Sequence, residues 1–135
     1  MKVSTRGRYA LRLMVDLAEN QGDGYVPLKD MAARQKISIK YLEHIVKLLG
    51  KADFLDSVRG PQGGYRLKRE VDEYNVGEIL NVTEGNFLLT ECLSGKEHNC
   101  NMAGNCSAVK FWGGLQAVID EYIYAYKLSD LLEKQ

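Results

Sequence analysis

The chain lacks any apolar run approaching the roughly 20 residues of a bilayer span, so no membrane-crossing helix is expected. Its opening residues, M-K-V-S-T-R-G-R-Y, are basic but lead into no apolar h-region, which argues against a secretory signal and for a cytoplasmic protein. There is no phosphate-binding glycine loop and no Ser/His/Asp set, and the two histidines, His44 and His98, fall in different parts of the chain. An enzyme is therefore the weakest reading, and no small-molecule substrate is expected. Cysteine is scarce and odd in number, three in all, which speaks against a disulfide framework. Net charge is absent too, with 18 Lys and Arg against 18 Asp and Glu. That balance hides a segregation: residues 1–70 carry 14 basic and 8 acidic side chains (net +6), and residues 71–135 carry 4 and 10 (net −6). A basic first half can attract nucleic-acid phosphates while an acidic remainder stays off them.

What is present is a globular composition, 45% hydrophobic and 27% charged over 135 residues, on the scale of about 100–200 residues per domain. The most informative stretch is Ser38 to Ala52. Leu42, Ile45, Val46 and Leu49 recur at i, i+3, i+4 and i+7, one stripe of an amphipathic helix with Ser38 as its N-cap. The opposite face is cationic, with Lys40, His44, Lys47 and Lys51, and Tyr41 and Glu43 sit near the start, where recognition helices meet base edges. Upstream, Pro27 to Arg34 reads as a shorter helix with Leu28, Met31 and Ala32 inward, and Gln35 to Ile37 as the turn between them. Those are helix-turn-helix proportions, though a plain helical hairpin with a solvated lysine face fits the same stretch.

The next residues favour the first reading. Leu55 to Arg59 and Tyr65 to Lys68 read as short strands around Gly60-Pro61-Gln62-Gly63-Gly64, with Arg59 and Arg66 flanking the turn. An arginine on a glycine-rich loop just after a recognition helix has the reach and charge for a minor-groove or phosphate contact. A first helix is expected over residues 4–20, with Ala10, Leu13, Met14, Leu17 and Ala18 on one stripe. Arg6, Arg8 and Arg12 near its start would be backbone-phosphate contacts or a solvated basic turn. A short helix follows at Val76 to Glu84, with Ile79, Leu80 and Val82 for packing and Gly85 as its stop. From Ser107 a long helix is expected. Trp112, Leu115, Ile119, Tyr122 and Tyr126, with Ala108, alternate four and three apart, and Val118 and Ile123 widen that seam. Its partner is expected to be the same helix of a second subunit, so that a homodimer reads two half-sites of double-stranded DNA in a palindromic operator; packing on its own domain is the alternative. Leu128 to Lys134 reads as a last short helix with Leu128, Leu131 and Leu132 inward.

The fold class is thus mainly α, a winged helix-turn-helix with a small β-hairpin wing and a long C-terminal dimerisation helix. The expected division is 1–85 for DNA binding, 86–106 for a cysteine-containing sensor loop and 107–135 for dimerisation. Cys92, Cys100 and Cys106 are separated by polar, flexible spacers that can fold around an ion but cannot build a core. Thiolates suit iron-sulfur clusters or zinc. Cys106 stands where the long helix should begin, a position that favours thiolate. A bare thiol redox sensor and inert cysteines are the other readings.

S-T-R-G-R-Y-A-L from Ser4 to Leu11, Y-L-E at Tyr41 to Glu43, S-V-R-G-P-Q-G-G-Y from Ser57 to Tyr65, V-G-E-I at Val76 to Ile79, and three cysteines ahead of Trp112 together resemble the IscR-type winged-helix regulators over essentially the whole chain. That bacterial family also includes NsrR and CymR. The resemblance implies a homodimeric transcription factor, a repressor in the first instance, whose DNA binding changes when an iron-sulfur cluster (2Fe-2S ahead of 4Fe-4S) is held by the three cysteines, with zinc, thiol oxidation or a protein partner as the alternative control. It also implies that Ser38, Lys40, Tyr41 and Glu43 lie in the major groove and that Arg59 reaches the minor groove. His44, by its place on the recognition helix, is expected to touch DNA rather than metal. Two features depart from the pattern. The cysteine gaps hold seven and five residues instead of five and five, and the histidine expected three residues after the last cysteine is Val109. The acidic first-helix ligand of the nitric-oxide-sensing branch is also missing, since Arg8 stands there. By chemistry His98 is the substitute fourth ligand, with Glu91 and Glu97 behind it.

Overall fold

Ala10, Leu13, Met14 and Leu17 repeat at helical spacing, and in the computed structural model, which describes residues 2–97 and 100–132, all four are fully buried on one side of α1 (Thr5–Asn20). Ser4 caps the helix by accepting from the Gly7 amide at 3.1 Å. Its own amide and hydroxyl both donate to Glu84, at 2.9 Å each. Gly7 lets the two helices approach here, since a Cβ on it would press on the Glu84 carboxylate that Ser4 holds.

The helix-turn-helix is α2 (Leu28–Gln35) and α3 (Ile39–Lys51). Pro27, expected inside the second helix, is instead its N-cap, which suits a residue without an N–H. The turn pivots on Lys36 in the left-handed region (φ 57°), and the Ile37 amide returns to Ala32 O at 3.2 Å. Ile37 is buried beneath the turn, and the Ser38 hydroxyl caps α3 through the Tyr41 amide at 3.1 Å. Leu42, Ile45, Val46 and Leu49 are all buried, as their spacing requires.

β1 (Leu55–Val58) and β2 (Gly64–Leu67) pair antiparallel, with Leu55 opposite Leu67 and Val58 opposite Gly64. β1 ends one residue earlier than the sequence reading, and β2 is shifted one residue earlier at both ends. A bridge between Val26 and Tyr65 is the cause for β2, since it draws Gly64 against the Val26 carbonyl. Gly64 has φ +153°, and a Cβ there would lie 2.3 Å from Val26 O.

α4 (Val76–Glu84) is opened by a capping box between Asn75 and Glu78. α5 (Val109–Ala125) lies across it, with the Tyr124 ring over Gly77, where a Cβ would stand 2.6 Å from the ring. The helix begins two residues later than expected and ends before Tyr126: Ala108 provides no side-chain cap, and Tyr126 turns extended to bond Val76. The expected last helix is a single 3-10 turn over Leu128–Leu131, with Leu128 fully buried; residues 133–135 lie outside the described residues.

Two apolar clusters result. The larger joins α1, α2, α3, the wing strands, Tyr74, Ile79 and Leu128. The smaller centres on Val76, Leu80 and Ile123, with Ile119 and Tyr126 packed on it. The seam foreseen along α5 therefore divides. Ile119 and Tyr126 pack inward and Trp112 is half-buried, whereas Leu115 and Tyr122 face solvent together with Phe111 and Val118.

Candidate nucleic-acid interface and cysteine loop

α2, which leads into α3, is held against α1 by polar contacts from Asp16 and Arg12. Asp16, 1% exposed, accepts from Arg34 Nε (3.0 Å) and Nη2 (2.7 Å) and from Gln35 Nε2 (2.9 Å). The carboxylate raises the Arg34 guanidinium above its ordinary pKa, chiefly through that hydrogen bond. Arg12 donates to the Gln35 side chain at 3.1 Å and to its backbone carbonyl, and stacks 5.0 Å over Tyr9. Tyr9 meets Tyr41 edge-on at 5.6 Å, and Tyr41 stacks on His44 at 6.4 Å. The first turns of α3 are thus braced from behind while their outer side stays open.

Ser38, Lys40, Glu43, His44 and Lys47 are exposed and Tyr41 is half-buried. Lys40, Lys47, Lys51 and Arg59 have no hydrogen-bond or ion-pair partner among the described residues. Between α3 and the wing lies an open groove of about 660 Å³ lined by Glu43, Val46, Lys47, Gly50, Leu55, Ser57 and Tyr65. Arg59 stands exposed at the wing tip. Arg66 does not flank the turn as a free cation: it donates to Asp23 O at 3.1 Å and stacks 5.6 Å over Tyr25. Arg6 is likewise structural, bonding Thr83 O at 2.6 Å, while Arg8 stays exposed beside Thr5 and Tyr9.

The wing is anchored at its base by Tyr74. Its buried hydroxyl donates to Phe54 O at 2.6 Å and accepts from the Lys68 and Arg69 amides at 3.1 Å each, and burial pushes its pKa up. At the surface Lys68 bonds Asp53, which holds that carboxyl below the usual carboxylate range. A lowered carboxyl contributes while ionised, so this tie weakens as pH falls through the Asp53 pKa.

The cysteines lie in the segment between α4 and α5. Cys92 lies in the 3-10 turn Glu91–Leu93, with the Thr90 hydroxyl 3.0 Å from its sulfur. Cys92, Cys100 and Cys106 all line one cavity of about 310 Å³, together with Met102, Gly104, Asn105 and Val109. The approach to Cys92 is clamped by Gln116, a buried residue of α5, which accepts from the Leu89 amide (2.8 Å) and donates to Phe87 O (3.1 Å) and Asp120 (2.9 Å). Among the described residues no three His, Cys, Asp or Glu side chains are grouped closely enough to hold one ion. His98 lies outside the described residues. As donors, three soft thiols around one cavity suit an iron-sulfur cluster.

Asp16 and Gln116 belong to no sequence motif. Asp16 pairs across 18 residues, which no local pattern discloses. Gln116 did leave a signal, a polar residue within the helical row Trp112, Gln116, Ile119 and Ile123.

Residues 3–134 match the family model Rrf2, described as an iron-dependent transcriptional regulator. The chain is 38% identical over 132 residues to the HTH-type transcriptional regulator IscR of Aliivibrio salmonicida, covering 98% of this chain and 77% of that protein. It is 36% identical over 135 residues to IscR of Sodalis glossinidius, covering 100% and 81%. Among solved structures it is similar to CymR, the global cysteine regulator of B. subtilis (TM-score 0.79, 34% identity, 98% and 96% covered), and to T. potens IscR (TM-score 0.76, 37% identity, 98% and 86% covered). The winged-helix architecture is common to them, and no helix described here is long and apolar enough to cross a membrane. With the family model spanning nearly the whole chain and relatives this similar along their length, the protein belongs to the Rrf2 family of transcriptional regulators.

Proposed function

We propose that this regulator is a cytoplasmic homodimer, acting in the first instance as a repressor, that binds a palindromic operator and changes its affinity when Cys92, Cys100 and Cys106 hold an iron-sulfur cluster, 2Fe-2S in preference to 4Fe-4S. The observation that carries the reading is the single cavity lined by all three thiols. When bound, the cluster supplies redox- and iron-dependent occupancy of that loop. His98 is the proposed fourth donor. The Thr90 hydroxyl donates to the Cys92 sulfur once that sulfur is a thiolate.

Residues 1–85 read the DNA. Ser38, Lys40, Tyr41, Glu43, His44 and Lys47 enter the major groove, where lysines donate to guanine edges or phosphates and the Glu43 carboxylate accepts from a cytosine or adenine amino group. Arg59 reaches the minor groove from the wing, and Arg8 meets a backbone phosphate. Residues 86–106 hold the cluster and residues 107–135 pair the protomers. The outer face of α5, Phe111, Leu115, Val118 and Tyr122, supports the pairing because it leaves four large apolar side chains in solvent. Trp112, Ile119 and Tyr126 back that face from the inner side.

A second reading keeps the operator but replaces the cluster by zinc, thiol oxidation or a protein partner. Its thiol-oxidation and partner forms, though not zinc, fit the lack of three closely grouped donors among the described residues. Anaerobic purification with iron, sulfide and zinc assays and an absorption spectrum separates the two. The first predicts iron with matching sulfide and visible charge-transfer bands that a Cys92→Ala variant loses. Zinc alone, or no metal after reconstitution, establishes the second.

A further inference from the structure

Large apolar side chains left in solvent are not scattered over this molecule. Among the described residues they fall on the cysteine loop, on α5, and at two further positions, Ile39 and Val58. Those two are the first residue of α3 and the last of β1. A single exposed aliphatic residue is ordinary, but residues 2–85 leave only these two, and both sit on the elements that face DNA. Ile39 is 48% exposed although it continues the row Leu42, Val46 and Leu49, each of them buried. Its spacing calls for burial, yet about half of its surface stays open to solvent. Glu43 follows four residues later on the neighbouring surface, and the exposed Ser38 and Lys40 flank it.

We propose that Ile39 is a specificity-determining residue that packs on the C5-methyl of a thymine in the major groove, beside the base pair met by Glu43. This rests on α3 being the recognition helix and deepens that reading. The thymine methyl is the apolar group that a major groove displays on its base edges, so an aliphatic side chain at the tip of such a helix has one chemical partner there. Ile39 and Glu43 together would read a methyl and an exocyclic amino group at adjacent base pairs.

The test uses the full-length protein and a duplex enriched by it from a random-sequence pool. Each thymine of that duplex is replaced in turn by deoxyuridine, which removes one methyl and nothing else. One position in each half-site should weaken wild-type binding by about fourfold, the effect of burying a single methyl. Ile39→Ala should bind the thymine duplex less tightly by a similar factor and lose sensitivity at that position alone, and Ile39→Val should fall between. Circular dichroism melting of both variants should match wild type, since the side chain supports no core. Indifference of the wild type to every deoxyuridine, half-sites without thymine, or an undiminished uracil penalty in Ile39→Ala would each overturn the assignment. Failure to enrich any duplex would instead overturn the DNA-binding reading, and the assignment with it.

Discussion

Arg34 and Asp16 form an unequal pair, and the inequality sets what each deletion does. Asp16 is 1% exposed whereas the Arg34 side chain is 39% exposed. Asp16→Ala releases an arginine that water can still reach. Arg34→Ala strands a carboxylate in the core with only Gln35 to donate to it. We therefore expect Arg34→Ala to be the more destabilising, by about 2–3 kcal/mol, below the range for a fully buried pair because half of this one is wet. Urea unfolding of the two variants checks the order, and equal losses would contradict it. Both should also weaken operator binding, because the pair fixes α2 against α1 and thereby aims α3. Tyr74 behaves alike at the base of the wing: Tyr74→Phe leaves the Arg69 amide without its acceptor, while Lys68 keeps a second bond to Phe54 O at 3.2 Å. A loss of about 1–2 kcal/mol follows for one orphaned amide, read from the same unfolding curves.

At the level of elements, α5 has two sides with different work. Its inner side is fitted to α4 so closely that Gly77→Ala, which sets a Cβ against the Tyr124 ring, should cost about 1–3 kcal/mol through overpacking. Its outer side carries the proposed dimer contact. Val118→Glu combined with Tyr122→Glu should raise the dimer dissociation constant by at least about tenfold without lowering helix content, as sedimentation and circular dichroism would show; an unchanged dimer would remove this face from the interface. The helices, the wing and their order were legible in the sequence because periodicity, caps and glycine turns are local signals. The roles of the two sides of α5 were less legible. Trp112 to Tyr126 form one heptad-like row in the sequence, yet the α4 surface captures Ile119 and Tyr126 and leaves Leu115 and Tyr122 outside, and nothing local records where α4 will lie. The same limit applies to Arg66 and Arg6. Each looked like a free cation in the sequence, and each is held by a distant backbone carbonyl, Asp23 O and Thr83 O.

Across the whole molecule, a basic half with unpaired lysines is joined to an acidic half that carries the cysteines. The phosphate contacts proposed for the basic half would release counterions, so operator affinity should fall steeply with salt. Lys47→Gln should reduce the slope of log K against log salt by about 2 for a dimer, one for each copy, while weakening all sequences alike. A variant that changed sequence preference at constant slope would identify Lys47 as a base-reading residue. The cysteines line one cavity within the acidic half, and its lead-in is bound to α5 by Gln116. The proposed cluster control is read most directly as a change in operator binding. The decisive measurement is the operator dissociation constant of the same anaerobic preparation before and after complete cluster removal, with Cys92→Ala as a third sample. A loaded protein that differs from both the stripped protein and the variant, which agree with each other, is the predicted result; three equal constants would contradict cluster control of this regulator.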